Sequence, residues 1–255
     1  MALQIGLQLY SVREEAERDF IGALEQVRSI GYDGVEFAGF GGFSAKELKE
    51  ELDRIGLIPM SAHIPFSQLK DQMGESVAYS AELGLGWAIC PGHPLATRDD
   101  IAEVSATLTA LSKALEPYGI KTGYHNHSHE FRNRIDGRAA LDLLIEATEG
   151  EAVFFEIDTC WAGYADVDPL PYIDALKGRA GPLHFKDLNP DYRDMKPHDI
   201  DAEVGTGIID FSGLLKIMEK NHILENGVIV EQEGSKTDIW NSVAICCQNI
   251  RKMEK

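Results

Sequence analysis

The chain has 255 residues, 44% of them hydrophobic and 26% charged, and its 42 acidic against 24 basic side chains give a net charge of −18. That length suits one closed α/β barrel, and the composition is that of an ordinary globular protein with a sizeable core. The acidic balance excludes a nucleic-acid backbone or an anionic membrane surface as partner, while a local Lys or Arg can still hold a small anion. The four cysteines, Cys90, Cys160, Cys246 and Cys247, form no CxxC pair. No apolar run approaches the ~20 residues that span a bilayer. The start, MALQIGLQLY, lacks a basic segment followed by a long apolar one. Together these features point to a reducing cytoplasm.

Short apolar runs alternate with longer amphipathic ones. The pattern predicts strands at Leu3–Leu9, Gly34–Ala38, Leu57–Ala62 and Trp87–Cys90 in the first half. Helices are predicted over Phe20–Ile30, Ala45–Ile55, Phe66–Leu83 and Ile101–Tyr118. Gly31, Gly56, Gly84 and Gly119 each stand just past a helix, where a left-handed residue ends the coil. The second half repeats the alternation, with strands at Ile120–His125, Val153–Ile157, Pro182–Phe185 and Val228–Val230. Its helices are predicted over Gly137–Ala147, Pro169–Leu176, Phe211–Lys220 and Asp238–Met253. A long loop, Lys186 to Asp210, follows the seventh strand. Eight strand–helix units predict a single (β/α)8 barrel domain over residues 1–255, with a doubly wound open sheet as the alternative.

In such a barrel the site lies at the carboxyl ends of the strands. The polar residues there are Gln8 and Tyr10 on strand one, Glu36 on two and His63 on three. Strand five ends in HNHSHE, which carries His125, Asn126, His127, His129 and Glu130. Asp158 closes strand six, His184, Lys186 and Asp187 strand seven, and Glu231 and Glu233 strand eight. Polar groups at one end of apolar strands are costly to bury without partners, so their concentration is informative. Carboxylates and imidazoles are the donors that suit Mn²⁺, Mg²⁺, Co²⁺ or Zn²⁺. Each residue also has a plainer use: Asp158 as a helix cap, His184 as a hydrogen-bonded core histidine, Glu231 as a partner of Lys186. Four donors on four consecutive strands favour the metal.

His125 and His127 alternate onto one side of a strand and bring two imidazoles to the site, with an ordinary pKa suited to proton transfer. Lys186 shares the face of His184 and can hold a substrate oxygen or stabilise an enolate. Gln8, Glu36, His63 and Trp161 are the candidates for substrate contact. Of Trp87, Trp161 and Trp240, only Trp161 is placed to wall a sugar ring. GTGIID, residues 205–210, contains a lone GxG and reads as a tight turn rather than a phosphate cradle.

GLQLYSVRE, GVEFAGF, SAHIPF, YHNHSHEF, DTCW, HFKD and VEQE occur in order along nearly the whole chain. Together they resemble the xylose isomerase-like barrels, specifically the sugar phosphate isomerase/epimerase group. That superfamily also holds tagatose epimerases, inosose dehydratase and endonuclease IV. The resemblance implies a metal held by Glu, Asp, His and Glu from strands five to eight. Asp158, His184 and Glu231 match directly. Many relatives carry Glu-Asn-His where this chain has His125, Asn126 and His127, which makes His125 the fifth-strand ligand. A subgroup carries the HNHxxEF form, in which Glu130 supplies the carboxylate; Glu130 is the first choice and His125 the alternative. Trp161 stands where many epimerases have His in a DxxH stretch, a departure from ordinary ketose epimerases.

The expected activity is therefore metal-dependent isomerisation or epimerisation of a sugar, keto-sugar or sugar phosphate. Glu231 or a strand-five residue removes the proton, and His127 or Lys186 helps return it. A dehydratase of a keto-inositol or keto-sugar is the nearest alternative. A non-catalytic sugar-binding barrel is the alternative of another class. A repair nuclease like endonuclease IV needs a basic groove that the charge opposes. The expected partner is a small carbohydrate, with a homodimer left as an option.

Overall fold

The structure, a computed structural model, describes residues 3–234 and 238–254. Eight parallel strands form the barrel: β1 Ile5–Gln8, β2 Gly34–Phe37, β3 Ile58–His63, β4 Trp87–Cys90, β5 Lys121–His125, β6 Val153–Glu156, β7 Leu183–Phe185 and β8 Val228–Val230. They neighbour one another in the order β6-β5-β4-β3-β2-β1-β8-β7. Isolated parallel bridges, Phe155 with Ala180 and Asp158 with His184, join β6 to the β7 side and close the ring. The predicted (β/α)8 architecture is the observed one. No helix among the described residues is long and apolar enough to cross a membrane.

The helices form where apolar residues recur at helical spacing and a cap is available. The helix Ala45–Ile55 starts at Ser44, whose hydroxyl and Glu47 make a reciprocal capping box. It ends at Gly56, at φ 80°, a left-handed value that costs glycine no Cβ clash. The helix Arg98–Leu115 begins three residues before the predicted Ile101, because Thr97 and Asp100 cap each other. The predicted helix over 66–83 is two, Phe66–Asp71 and Met73–Leu83, broken at Gln72 ahead of Gly74, a poor helix former.

Several short features depart from the predicted elements, one of them taking Arg138–Ala139 out of the predicted helix Gly137–Ala147, which starts at Ala140. Short helices run over Arg13–Arg18 and Thr159–Tyr164. Two-residue antiparallel pairs join Arg134–Ile135 to Arg138–Ala139 and Asp187–Leu188 to Asp201–Ala202. All are too short for periodicity to register. The core lies inside the barrel and between it and the helices, built on fully buried residues such as Leu7, Val35, Tyr124, Phe155 and Phe185.

Candidate active site

Strand register brings the polar strand ends together. Gln8 pairs with Glu36, Glu36 with Ser61, His125 with Glu156, and Asp158 with His184 across neighbouring strands. Residues two apart share a face of a strand, which groups Glu156 with Asp158 and His184 with Lys186. The result is two layers of buried polar side chains over an apolar core.

The lower layer is Glu36, Ser61, His63 and Glu156, with His125 and His184 reaching it from above. Glu36 is fully buried. One of its oxygens accepts from Gln8 Nε2 at 2.7 Å and lies 2.7 Å from His184 Nε2, and the other accepts from Ser61. Glu156, also fully buried, gathers three imidazoles on Oε2: His63 Nε2 at 2.8 Å, His125 Nδ1 at 3.1 Å and His184 Nε2 at 3.2 Å. Burial raises the Glu156 pKa, but His184, then His125 and His63, outweigh it and hold the group ionised well below the carboxylate range. Burial and the neighbouring Glu156 push Glu36 the other way.

The upper layer is Asp158, Lys186, Glu231 and Glu233. Asp158 Oδ1 accepts from the Trp161 amide at 2.7 Å and caps the helix Thr159–Tyr164. Its Oδ2 is buried with no hydrogen-bond partner. His184 Nδ1 is likewise unpartnered, 3.8 Å from Asp158 Oδ2 and 3.4 Å from Glu231 Oε2 without hydrogen-bond alignment. A ligand atom from each of His125, Asp158, His184 and Glu231 lies within 4.8 Å of the other three. A second such group, His63, His125, Glu156 and His184, occupies the lower layer.

Lys186 Nζ reaches Glu231 Oε2 at 3.3 Å, contacts Glu233, and sits 4.9 Å from the centre of the Trp161 ring. Burial disfavours its charge, but Glu231, Asp158 and Glu233 more than compensate and keep it a cation. Glu231 is held ionised against burial by Lys186 and His184. Burial raises Asp158 to about 7, opposed by Lys186 and aided by Glu231.

Above these layers opens a cavity of about 700 Å³. His63, His125, His127, Trp161 and Glu231 line it, together with Glu233, His198 and Tyr10. Gln8 and Glu36, expected to touch substrate, instead lie wholly buried below, where Gln8 donates to Glu36 and Glu36 meets His184. His127 reaches the cavity, but burial lowers its pKa to about 4, so it is neutral at pH 7 rather than poised near its ordinary value.

Glu130 is placed differently from its expected role. It is fully buried, but its oxygens accept from the His127 amide at 2.8 Å and the Tyr124 hydroxyl at 3.0 Å. With His127 and His129 it forms a third group whose ligand atoms lie within 4.8 Å of one another, while the group around Asp158, His184 and Glu231 contains His125. The chain turns into the helix Ser128–Arg132 directly after His127, which carries Glu130 off the strand. Asp187, next to Lys186, points the other way. It accepts the amides of Leu188, Gly205, Gly207 and Ile209 at 2.7–3.0 Å, so the GTG turn is filled by a carboxylate of the chain itself. A Cβ at Gly207 would meet Leu188 O at 2.3 Å, so only glycine allows this approach.

Glu156 is the residue that reading strand ends missed. It lies inside the apolar run VFFEI rather than at its end, and the signal that finds it is its spacing of two from Asp158.

Known proteins share this fold. A structure of a sugar phosphate isomerase/epimerase from Parabacteroides distasonis ATCC 8503 superposes with a TM-score of 0.81 at 24% identity, covering 100% of this chain and 96% of that one. The IOLI protein, solved with a zinc atom, superposes with a TM-score of 0.75 at 14% identity over 99% of this chain and 98% of that one. An inosose dehydratase of Lacticaseibacillus casei is 23% identical over 251 residues, 85% of this chain and 83% of the relative. A family model described as xylose isomerase-like TIM barrel matches residues 24–245, nearly the whole ring of strands just described, and the chain belongs to that family.

Proposed function

We propose that this protein is an enzyme that isomerises or epimerises a sugar or keto-sugar with a divalent ion held by His125, Asp158, His184 and Glu231. One observation carries the reading. Asp158 Oδ2 and His184 Nδ1 are buried without partners, 3.8 Å apart, beside two further donors. An unpaired buried carboxylate oxygen and imidazole nitrogen cost several kcal/mol between them, on the order of 1–3 each, unless something binds them. Two imidazoles and two carboxylates are a donor set that a divalent ion takes readily. When bound, the ion supplies Lewis acidity beside a carbonyl and eases loss of the adjacent carbon-bound proton.

The side chains then divide the work. Glu231, ionised and facing the cavity, is the proton acceptor. Lys186 stays cationic between Glu231 and Glu233 and stabilises negative charge on a substrate oxygen. His127, neutral at pH 7, serves as a hydrogen-bonding partner of a hydroxyl rather than as an acid. Trp161 offers an apolar wall, and its buried Nε1, which lacks a partner, is available to a sugar oxygen.

A dehydratase of a keto-sugar or keto-inositol shares the first proton removal, and the inosose dehydratase relative favours keeping it as the second reading. Incubation of candidate ketoses in deuterated water separates the two: isomerisation gives exchange and a rearranged sugar, dehydration gives an enone. Asp158→Ala tests the centre itself. It is expected to abolish stoichiometric divalent metal in the purified protein, and full metal retention would contradict the assignment.

A further inference from the structure

We propose that Glu156 is the positioning residue of His125: it holds the Nδ1 proton of that imidazole and so presents Nε2 to the ion. The inference rests on the metal centre proposed above and adds a residue outside the donor set. A carboxylate can only accept, so an imidazole nitrogen 3.1 Å from Glu156 Oε2 carries the proton. That fixes one tautomer of His125 and leaves its other nitrogen as the lone pair. Glu36, together with Glu156, holds the Nε2 proton of His184. It sits 2.7 Å from Nε2 and leaves Nδ1, the unpartnered atom, facing Asp158 and Glu231. Glu156 Oε2 thus stands behind both imidazole donors, 3.1 Å from His125 Nδ1 and 3.2 Å from His184 Nε2, with Glu36 as a second carboxylate behind His184, and the two rings are presented through opposite nitrogens.

Glu156 pairs directly with His125 across β5 and β6, and its negative charge would strengthen that imidazole as a donor to a bound ion. Carboxylates behind ligating imidazoles fix ring orientation and raise donor strength, and their loss typically costs 10–100-fold in metal affinity. A charged side chain in the middle of VFFEI is expensive to bury, and the only donors it meets among the described residues are His63, His125 and His184.

The experiment is a zinc titration of chelator-stripped protein against a chromophoric competitor. Glu156→Gln keeps the shape and removes the charge, and it is expected to weaken zinc about 10–100-fold. Glu130→Gln, in the same barrel but outside the centre, is the control and is expected to stay within about threefold of the parent, as far as an uncharged hydrogen-bond change allows. Zinc affinity of Glu156→Gln within threefold of the parent overturns the proposal alone. Failure of the unaltered protein to take up zinc overturns the metal reading and this proposal with it. If Glu156→Gln does not fold, the ¹⁵N signature of His125 in the unaltered zinc-loaded protein decides: a proton on Nδ1 is expected, and a proton on Nε2 overturns the proposal.

Discussion

Glu130 and Glu156 are two fully buried carboxylates within a few residues of adjacent strand ends, and they serve opposite purposes. Glu130 meets a backbone amide, a tyrosine hydroxyl and one half-exposed imidazole, His129 at 3.2 Å, and holds a loop in place. Glu156 meets three imidazoles and orders a cluster that reaches the cavity floor. What a buried carboxylate does is set by the donors it meets, not by how crowded its sequence neighbourhood is with polar residues. HNHSHE is the densest polar segment of the chain, yet its carboxylate serves the loop. VFFEI carries one charge, and that charge faces the centre.

Lys186→Met should break this division most visibly. It removes the cation from between Glu231 and Glu233, and kcat should fall by about 10³-fold, as expected when a preorganised charge is lost from a dry site. Steady-state kinetics on a turned-over ketose checks it, and a change under tenfold would remove Lys186 from the chemistry.

His125→Ala set beside Glu130→Gln sharpens the comparison at the next level. Losing a direct donor should weaken zinc by at least the ~10–100-fold seen for second-layer groups, whereas losing the Glu130 charge should leave it nearly unchanged. Equal losses in both variants would show that the HNHSHE carboxylate takes part after all.

Proton competition supplies a smaller, graded effect. Without metal the Asp158 carboxyl sits at about 7, raised by burial above its ordinary 3.8. An ion must displace that proton and also one from His184, which, against burial, Glu156 and Glu36 hold protonated well above the ordinary imidazole range, so affinity should fall by at least about tenfold per unit as pH drops below 7 and should still rise with pH above it. The sign for stability is the reverse. A raised carboxyl stabilises the metal-free fold below about 4, and that contribution is lost as pH rises through 7. Calorimetric zinc titration from pH 5.5 to 8 reads the affinity slope, and a pH-independent affinity would place the proton elsewhere.

Glu130→Gln should show its effect in stability instead. Weakening a buried cap and hydrogen bond costs about 1–2 kcal/mol, visible as a shifted urea midpoint at unchanged slope.

Much of this architecture was legible in the sequence, and the exceptions share a cause. The eight strands and the helices Phe20–Ile30, Ala45–Ile55, Pro169–Leu176 and Phe211–Lys220 follow from periodicity and capping residues. The convergence of Asp158, His184 and Glu231 follows from strand-end position. That His125 rather than Glu130 stands beside Asp158, His184 and Glu231 depends on the turn after His127, which no periodicity announces. Gln8 and Glu36 stand at strand ends as expected, but depth along the barrel axis separates residues that line a cavity from those that support it from below. Asp158 shows that a cap and a free donor can be one residue, because its two oxygens are used separately.

The central claim is the donor set at the cavity floor, and counting imidazoles around bound zinc by X-ray absorption tests it most directly. The account predicts two imidazoles and two carboxylates, from His125, His184, Asp158 and Glu231. One imidazole would restore Glu130 as the fifth-strand ligand, three would move the ion down to His63, His125 and His184, and either count would contradict it.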